Sequence, residues 1–245
     1  GDSEGSGTGS DTGSALNLAG LLWRSARAHP RAPALALGTR VVADYATLAT
    51  RVQRLAAALC QRFGLQPGDR IALFMANTPQ YVELLYACWH AGLVAVPINA
   101  RLHARELRFI LGDCGARLCF VSADTEATAH SASEPALPVS ALIDVASRDY
   151  QQLLQSADDA ACVLRPPAEI AATGLHSLAW LFYTSGTTGR PKGVVLSHAN
   201  FWTASMTRGA ELNNAPESVS LLVAPLFHVA GLGRLVGQTL VSGSA

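Results

Sequence analysis

The segment at residues 181–193 constrains this chain more than any other part of it. It reads LFYTSGTTGRPKG, and its last ten residues supply four hydroxyl side chains, three glycines and one lysine but no acidic group. Glycine lets backbone N–H groups approach phosphate oxygens without a Cβ in the way, and successive N–H groups form a concave anion site. Lys192 adds a positive charge. The segment therefore predicts a loop that binds phosphate groups.

Apolar segments border residues 184–193, which we call the phosphate loop. Residues 178–183 and 194–196 predict two strands, the first of them buried, so that both ends of the loop are held. The alternative is a flexible surface loop, which Gly/Ser/Thr-rich segments usually form. The held ends and the purely positive charge weigh against that alternative. A Walker loop is excluded, because the lysine lies between a proline and a glycine and a strand follows it.

Short apolar strands alternate with amphipathic helices between residues 70 and 121. Strands are predicted at 71–75, 93–96 and 118–121, and helices from Pro79 to about Ala91 and from about His103 to Asp113. Apolar strands separated by amphipathic helices indicate parallel βαβ units with helices on both faces of one sheet. We therefore predict an α/β fold built from parallel βαβ layers.

The segment before residue 70 carries capping and turn signals. An amphipathic helix is predicted from Leu16 to His29 with Asn17 as its N-cap. A hairpin with a two-residue turn is predicted at residues 34–43. Asp44 is predicted to cap the next helix, which Gly64 ends.

We predict three units along the chain. Residues 1–14 form a flexible tail, residues 15–165 a first α/β lobe, and residues 166–245 the start of a second lobe that contains the phosphate loop. In this second lobe a helix is predicted from about His198, and a buried strand is predicted over Ser220–Ala224.

The composition is that of a globular chain. Hydrophobic residues make up 49% and charged residues 15% of the 245 residues, which excludes a disordered protein. Basic and acidic residues number 18 each, so the chain shows no electrostatic footprint of a nucleic-acid or anionic-membrane partner. The most apolar long segment, residues 81–98, contains Glu83, Gly92 and Pro97. It is therefore predicted as helix, turn and strand rather than a membrane span.

The sequence does not indicate a metal site. The five cysteines are odd in number and include no C-x-x-C pair, so we expect free thiols in a reducing compartment. A soluble, cytoplasmic protein is the corresponding prediction. The pair Asp158 and Asp159 is interpreted as a solvated turn rather than a metal or acid–base site, because no further ligands lie near it in sequence.

The phosphate loop resembles that of the adenylate-forming superfamily, which includes acyl- and aryl-CoA synthetases, luciferases and peptide-synthetase adenylation domains. Every position from Leu181 to Lys192 fits that signature. The likeness extends from about Leu16 to the last residue. Four further segments resemble those of acyl-CoA synthetases: 45–48, 67–72, 91–99 and 225–228. The Phe227-His228 form and the general run of residues 91–121 are more similar to fatty-acyl-CoA synthetases than to peptide-synthetase adenylation domains.

The resemblance implies an ATP-dependent acid–CoA ligase that forms an acyl-adenylate and then a thioester. It implies ATP, Mg²⁺ and coenzyme A as co-reactants and a small carboxylic acid as substrate, with a fatty acid favoured over aryl and dicarboxylic acids. The residues implied to bind ATP phosphates are Thr184, Ser185, Gly186, Thr187, Thr188, Gly189 and Lys192. Lys192 and His228 are the implied catalytic residues. The alternative for His228 is a core histidine hydrogen-bonded to backbone.

Three later segments of the family have no match in this sequence: the Tyr-Gly-x-Thr-Glu segment whose Glu holds Mg²⁺, the ribose-binding Thr-Gly-Asp segment and the small C-terminal lobe. The Mg²⁺ ligand is thus expected outside this chain. We therefore expect an N-terminal portion of a ligase. A truncated, non-catalytic homologue that binds nucleotide or a partner is the second hypothesis. The third, an unrelated nucleotide-binding α/β domain, is disfavoured by the likeness outside the loop.

Overall fold

The fold was obtained as a computed structural model, which describes residues 17–133, 136–155, 176–184, 190–212 and 218–241. The helices are α1 (Ala19–Ala28), α2 (Tyr45–Phe63), α3 (Pro79–His90), α4 (Ala104–Cys114), α5 (Ala123–Ser131), α6 (Arg148–Gln155), α7 (His198–Leu212) and α8 (Val229–Val241). The strands are β1 (Pro33–Leu37), β2 (Arg40–Asp44), β3 (Arg70–Phe74), β4 (Val94–Pro97), β5 (Leu118–Val121), β6 (Ala141–Asp144), β7 (Leu178–Thr184) and β8 (Lys192–Ser197).

Six strands form one sheet in the order β6-β5-β3-β4-β7-β8, and β1 and β2 form a separate antiparallel hairpin. Neighbouring strands from β6 to β7 are parallel, which confirms the predicted α/β fold. The last pair differs, since β8 runs antiparallel to β7. Only residues 185–191 separate these two strands, whereas a parallel pair needs a crossover of a dozen or more residues.

Both faces of the sheet are covered by helices, as predicted. Along β3, Ile71 and Leu73 belong to one hydrophobic cluster, and Ala72 and Phe74 to the other, because successive side chains of a strand point to opposite faces. Helices α1, α2, α3 and α6 contribute to the first cluster and helices α4 and α5 to the second. The central strands are buried for this reason.

The predicted helix boundaries of the first lobe follow from capping interactions. The Asp44 side chain accepts a hydrogen bond of 2.8 Å from the Thr47 N–H, and Gly64 ends α2 with a φ of 62°. Both predictions are confirmed. The cap predicted for α1 is wrong by one residue: the N-cap is Leu18, whose backbone already has helical angles. The Asn17 side chain nevertheless accepts a hydrogen bond of 2.9 Å from the Ala19 N–H.

The buried strand predicted over Ser220–Ala224 is wrong. Residues 218–223 lack regular structure, and Val219, Leu221 and Val223 are 80%, 80% and 76% exposed. An apolar strand becomes buried only when neighbouring strands or helices cover it. Within the described ranges, no strand pairs with this segment.

Several predictions fall outside the described residues, among them the tail at residues 1–14, Asp158 and Asp159, Cys162 and the boundary between 165 and 166. The two-lobe division therefore stays a prediction. We call residues 17–155 the first region and residues 176–241 the second region. Strand β7 of the second region hydrogen-bonds to β4 of the first.

Four of the five cysteines lie in the described part of the chain, where free thiols were expected. Cys60, Cys88, Cys114 and Cys119 are free, and the last three are buried. In the ranges that the structure describes, no helix has the length and apolar character needed to cross a membrane.

Candidate functional site

A cavity of about 290 Å³ lies at the carboxyl ends of β4 and β7, beside α4. It is lined by Pro97, Ile98, Asn99, Leu102, Glu106, Ile110, Phe182, Tyr183, Thr184, Pro191, Phe227 and His228. Open α/β sheets bind ligands at the carboxyl ends of their strands. The cavity is therefore the candidate functional site, and it contains Thr184 and Pro191 from the phosphate loop.

The β7–β8 hairpin holds the two ends of the phosphate loop together. Thr184, the last residue of β7, is paired directly with Lys192, the first residue of β8. Both residues are exposed, and so is Arg190. The pairing brings the two ends of the loop together and leaves its lysine open to a ligand. Ser185, Gly186, Thr187, Thr188 and Gly189, predicted to bind phosphate, lie outside the described residues.

Tyr183 anchors the start of the phosphate loop to α4. Its hydroxyl donates a hydrogen bond of 2.5 Å to Oδ2 of Asp113. Burial, with a smaller contribution from this hydrogen bond, raises the pKa of Tyr183 far above its usual value, so the hydroxyl stays a donor. A Cβ on Gly193, its cross-strand partner, would lie 3.0 Å from Cδ1 of Leu181 and in ordinary contact, at 3.4 Å, with Cζ of the Tyr183 ring. Sequence reasoning missed the Tyr183–Asp113 contact, because 70 residues separate its partners.

His228 lies at the edge of the cavity, directly before α8. Its backbone oxygen accepts hydrogen bonds from the N–H groups of Gly231 and Leu232, at 3.0 and 3.2 Å. Its Nδ1 accepts one from the Ala230 N–H at 3.4 Å. The side chain is exposed, which rules out the alternative of a core histidine. The structure thus brings His228 into the same cavity as Thr184, while the predicted chemical roles of both residues remain untested.

His198, predicted to lie near a helix start, is the first residue of α7 and does not line the cavity. It is fully buried, and its Nδ1 accepts a hydrogen bond of 3.1 Å from the Leu18 N–H. Burial lowers the pKa of His198 to about 4. The side chain is therefore a neutral structural link between α1 and α7.

The polar residues Asn99 and Glu106 line the cavity and were not predicted as site residues. Asn99 follows β4, and its side chain accepts a hydrogen bond of 2.9 Å from the Arg101 N–H. Glu106 accepts one of 3.2 Å from the His103 N–H at the start of α4. The carboxylate three residues after the helix start was an available signal. Among the described residues, no three His, Cys, Asp or Glu side chains form a group that could hold a metal ion.

A model of the family described as AMP-binding enzyme matches residues 22–245. This chain belongs to the AMP-binding enzyme family. Within the family it is 38% identical over 220 residues to a feruloyl-CoA synthase of an Amycolatopsis species, which covers 90% of this chain and 41% of that protein. It is 32% identical over 234 residues to a long-chain fatty acid–CoA ligase of Mycobacterium tuberculosis, which covers 92% of this chain and 45% of the ligase. The chain thus spans less than half of either relative.

A solved structure shows the same fold. The inhibitor-bound crystal structure of the N-terminal domain of FACL13 from Mycobacterium tuberculosis superimposes with a TM-score of 0.78 at 29% identity. The match covers 94% of this chain and 56% of that one. The predicted resemblance to an N-terminal portion of an adenylate-forming enzyme is confirmed.

Proposed function

We propose that this chain is the N-terminal portion of an ATP-dependent acid–CoA ligase and that its phosphate loop binds the β- and γ-phosphates of ATP. The observation that supports this best is that Thr184, at the start of the loop, lines the same cavity as Phe227 and His228. A carboxylate would attack the α-phosphate there to give an acyl-adenylate and pyrophosphate. The thiol of coenzyme A would then displace AMP.

The first half of this reaction brings anions together, so it depends on charge compensation and positioning. Arg190 and Lys192 supply positive charge beside the cavity, and the pairing of Thr184 with Lys192 fixes where that charge lies. Mg²⁺ supplies further charge compensation in the proposed reaction. Since the described residues include no group that could hold a metal ion, we assign it no ligand here.

The cavity also bears on the substrate. Phe182, Phe227 and Ile98 give it an apolar part, and its volume of about 290 Å³ is at the lower end of small-molecule pockets. It accommodates part of an acyl-adenylate. We propose a fatty acid as substrate, as the sequence indicated, with a hydroxycinnamate such as ferulate as the competing candidate, because the relative named feruloyl-CoA synthase is 38% identical.

Carboxylate-dependent exchange of pyrophosphate into ATP tests the proposal. The purified chain is assayed with dodecanoate, ferulate and oxalate. Exchange with one acid would identify the substrate class and show that adenylation occurs in this chain. A folded sample that binds Mg-ATP without exchange with any acid would instead support the non-catalytic homologue.

Lys192 allows a second test that does not depend on activity. It is the only lysine in the sequence, so amine-selective modification reports on this side chain and the N-terminus alone. We expect Mg-ATP to slow its modification. The variant Lys192→Ala should bind Mg-ATP about tenfold more weakly, since a charge-assisted contact to phosphate is lost. The control Arg40→Ala removes an exposed cation from β2 and should leave the Kd unchanged. An unchanged Kd in Lys192→Ala would contradict the assignment.

A further inference from the structure

We propose that Asn77 of the first region is a positioning residue that fixes Phe227 and His228 at the cavity. Its importance for a ligand rests on the proposed function. The Nδ2 group of Asn77 donates hydrogen bonds to the backbone oxygens of Leu222, at 3.4 Å, and Ala224, at 3.0 Å. Its Oδ1 accepts a third, of 2.8 Å, from the Leu226 N–H.

These contacts hold a segment that forms no helix or strand. Residues 218–223 lack regular structure, and the apolar side chains of Val219, Leu221 and Val223 are more than three-quarters exposed. Leu226, in contrast, is 2% exposed and belongs to the main hydrophobic cluster. Asn77 therefore fixes the backbone on both sides of the point where the chain enters the core, one residue before Phe227.

The backbone after Leu226 is closely packed, so a shift of Leu226 would also displace the cavity residues Phe227 and His228. The His228 N–H donates a hydrogen bond of 3.0 Å to the Pro225 oxygen. A Cβ on Gly231 would lie 2.5 Å from that same oxygen, so α8 packs directly against the backbone of residues 224–225. Phe227 and His228 are thus held between the Asn77 contacts and the first turn of α8.

Asn77 is itself held rigidly. It follows β3, whose residues are almost fully buried, and it precedes Thr78, the N-cap of α3. The adjacent Ala76 N–H donates a hydrogen bond of 3.0 Å to the Ser122 hydroxyl. An asparagine amide is needed because it donates to two carbonyl oxygens and accepts from one N–H, whereas a carboxylate only accepts. The sheet thereby sets the position of the cavity edge.

The test compares Asn77→Asp and Asn77→Leu with the wild-type chain. Asn77 is exposed, so both variants should fold. The control Thr78→Ala removes the neighbouring helix cap, in which the Tyr81 N–H contacts the Thr78 hydroxyl, and leaves the Asn77 contacts intact. The first readout is hydrogen exchange of the amides in residues 222–232. The second is binding of the sulfamoyl analogues of dodecanoyl- and feruloyl-adenylate, compared with protection of Lys192 by Mg-ATP.

We expect amide exchange over residues 222–232 to accelerate about tenfold in both Asn77 variants. The same amides should exchange at the wild-type rate in the control Thr78→Ala. Affinity for the adenylate analogue that binds the wild-type chain should fall about tenfold, equivalent to about 1.4 kcal/mol. Protection of Lys192 by Mg-ATP should not change, because the Asn77 side chain hydrogen-bonds to residues 222–226 and not to β7 or β8.

Unchanged exchange over residues 222–232 in both Asn77 variants would overturn the inference. Equal changes in Thr78→Ala would overturn it as well, since general destabilisation would then explain them. If the wild-type chain binds neither analogue and Mg-ATP does not protect Lys192, the proposed function fails. The exchange comparison still decides whether Asn77 positions Phe227 and His228 in that case.

Discussion

Apolar strands of similar composition have different surroundings in the two regions. In the first region, Ile71 and Leu73 of β3 are fully buried, because β4 and β5 flank this strand and helices cover both sheet faces. In the second region, Val194 and Val195 of β8 are 39% and 56% exposed, and the segment at residues 218–223 is more exposed still. Burial is thus decided by the neighbours of a strand rather than by its own residues.

The change in burial occurs between β7 and β8 rather than between the two regions. Trp180 of β7 is fully buried, and its ring centroid lies 4.7 Å from that of Phe201 in α7. The indole N–H of Trp89 in α3 donates a hydrogen bond of 2.9 Å to the Ala179 oxygen. Strand β7 therefore shares the core of the first region, and β8 is the exposed edge of the sheet.

The largest effect should come from truncating the same side chain in each environment. Leu73 is fully buried, so Leu73→Ala should lower the free energy of unfolding by about 2–5 kcal/mol through lost burial and a cavity. Leu221 is 80% exposed, so Leu221→Ala should change it by less than about 0.5 kcal/mol. Urea unfolding of the two variants measures the difference. Equal losses would mean that residues 218–223 are covered in solution, and the contrast between the regions would then be wrong.

The second prediction concerns His198, which joins the regions through its contact with Leu18. Its pKa in the folded state, about 4, lies below the usual 6.5, so the unfolded chain binds more protons between these pH values. The contribution to stability is complete above pH of about 6.5 and is lost as the pH falls toward 4. Between pH 7.5 and 5, this group alone should cost about 2 kcal/mol.

Unfolding of wild-type and His198→Gln chains across that pH range isolates the effect. The variant should lose the pH dependence that His198 contributes, whatever its absolute stability. His130→Gln, which removes a histidine whose side chain is 65% exposed, is the comparison variant. Identical slopes in wild-type and His198→Gln chains would show that burial does not suppress protonation of His198.

Sequence reasoning succeeded where the determining interactions are local. The Asp44 cap, the Gly64 helix end and the strand at residues 118–121 each depend on a few adjacent residues, and the structure contains all three. It failed over Ser220–Ala224, where an apolar run was taken to imply a covered strand. It also missed Asn77, whose partners lie about 145 residues away, because no local pattern encodes such a contact.

The candidate site likewise has a part that local sequence predicts and a part that depends on long-range contacts. The phosphate loop was predicted from its own composition, since glycines, hydroxyls and a lysine are typical of an anion site. That Thr184 and His228 line the same cavity could be expected only from the resemblance to adenylate-forming enzymes. The 43 residues between them carry no spacing signal that would predict it.

The last comparison removes one tyrosine hydroxyl in each region. The Tyr150 hydroxyl donates a hydrogen bond of 2.7 Å to the buried carboxylate of Glu83, which Arg51 also contacts through two nitrogens. Tyr150→Phe should lower the free energy of unfolding by about 1.5–3 kcal/mol, the range for hydrogen bonds to charged groups. Tyr183→Phe should cost about 1 kcal/mol or less, because water can solvate the exposed carboxylate of Asp113 in place of the hydroxyl.

A second measurement separates the roles of these two tyrosines. Tyr183 precedes the phosphate loop directly, so Tyr183→Phe should weaken the protection of Lys192 by Mg-ATP even though the chain stays folded. Tyr150→Phe should leave that protection unchanged in the folded fraction, because its contacts lie among α2, α3 and α6. Asp113→Ala should weaken protection as Tyr183→Phe does, since both remove the same contact. If Tyr183→Phe affects stability but not protection, the Tyr183–Asp113 contact serves the sheet edge alone and does not position the loop.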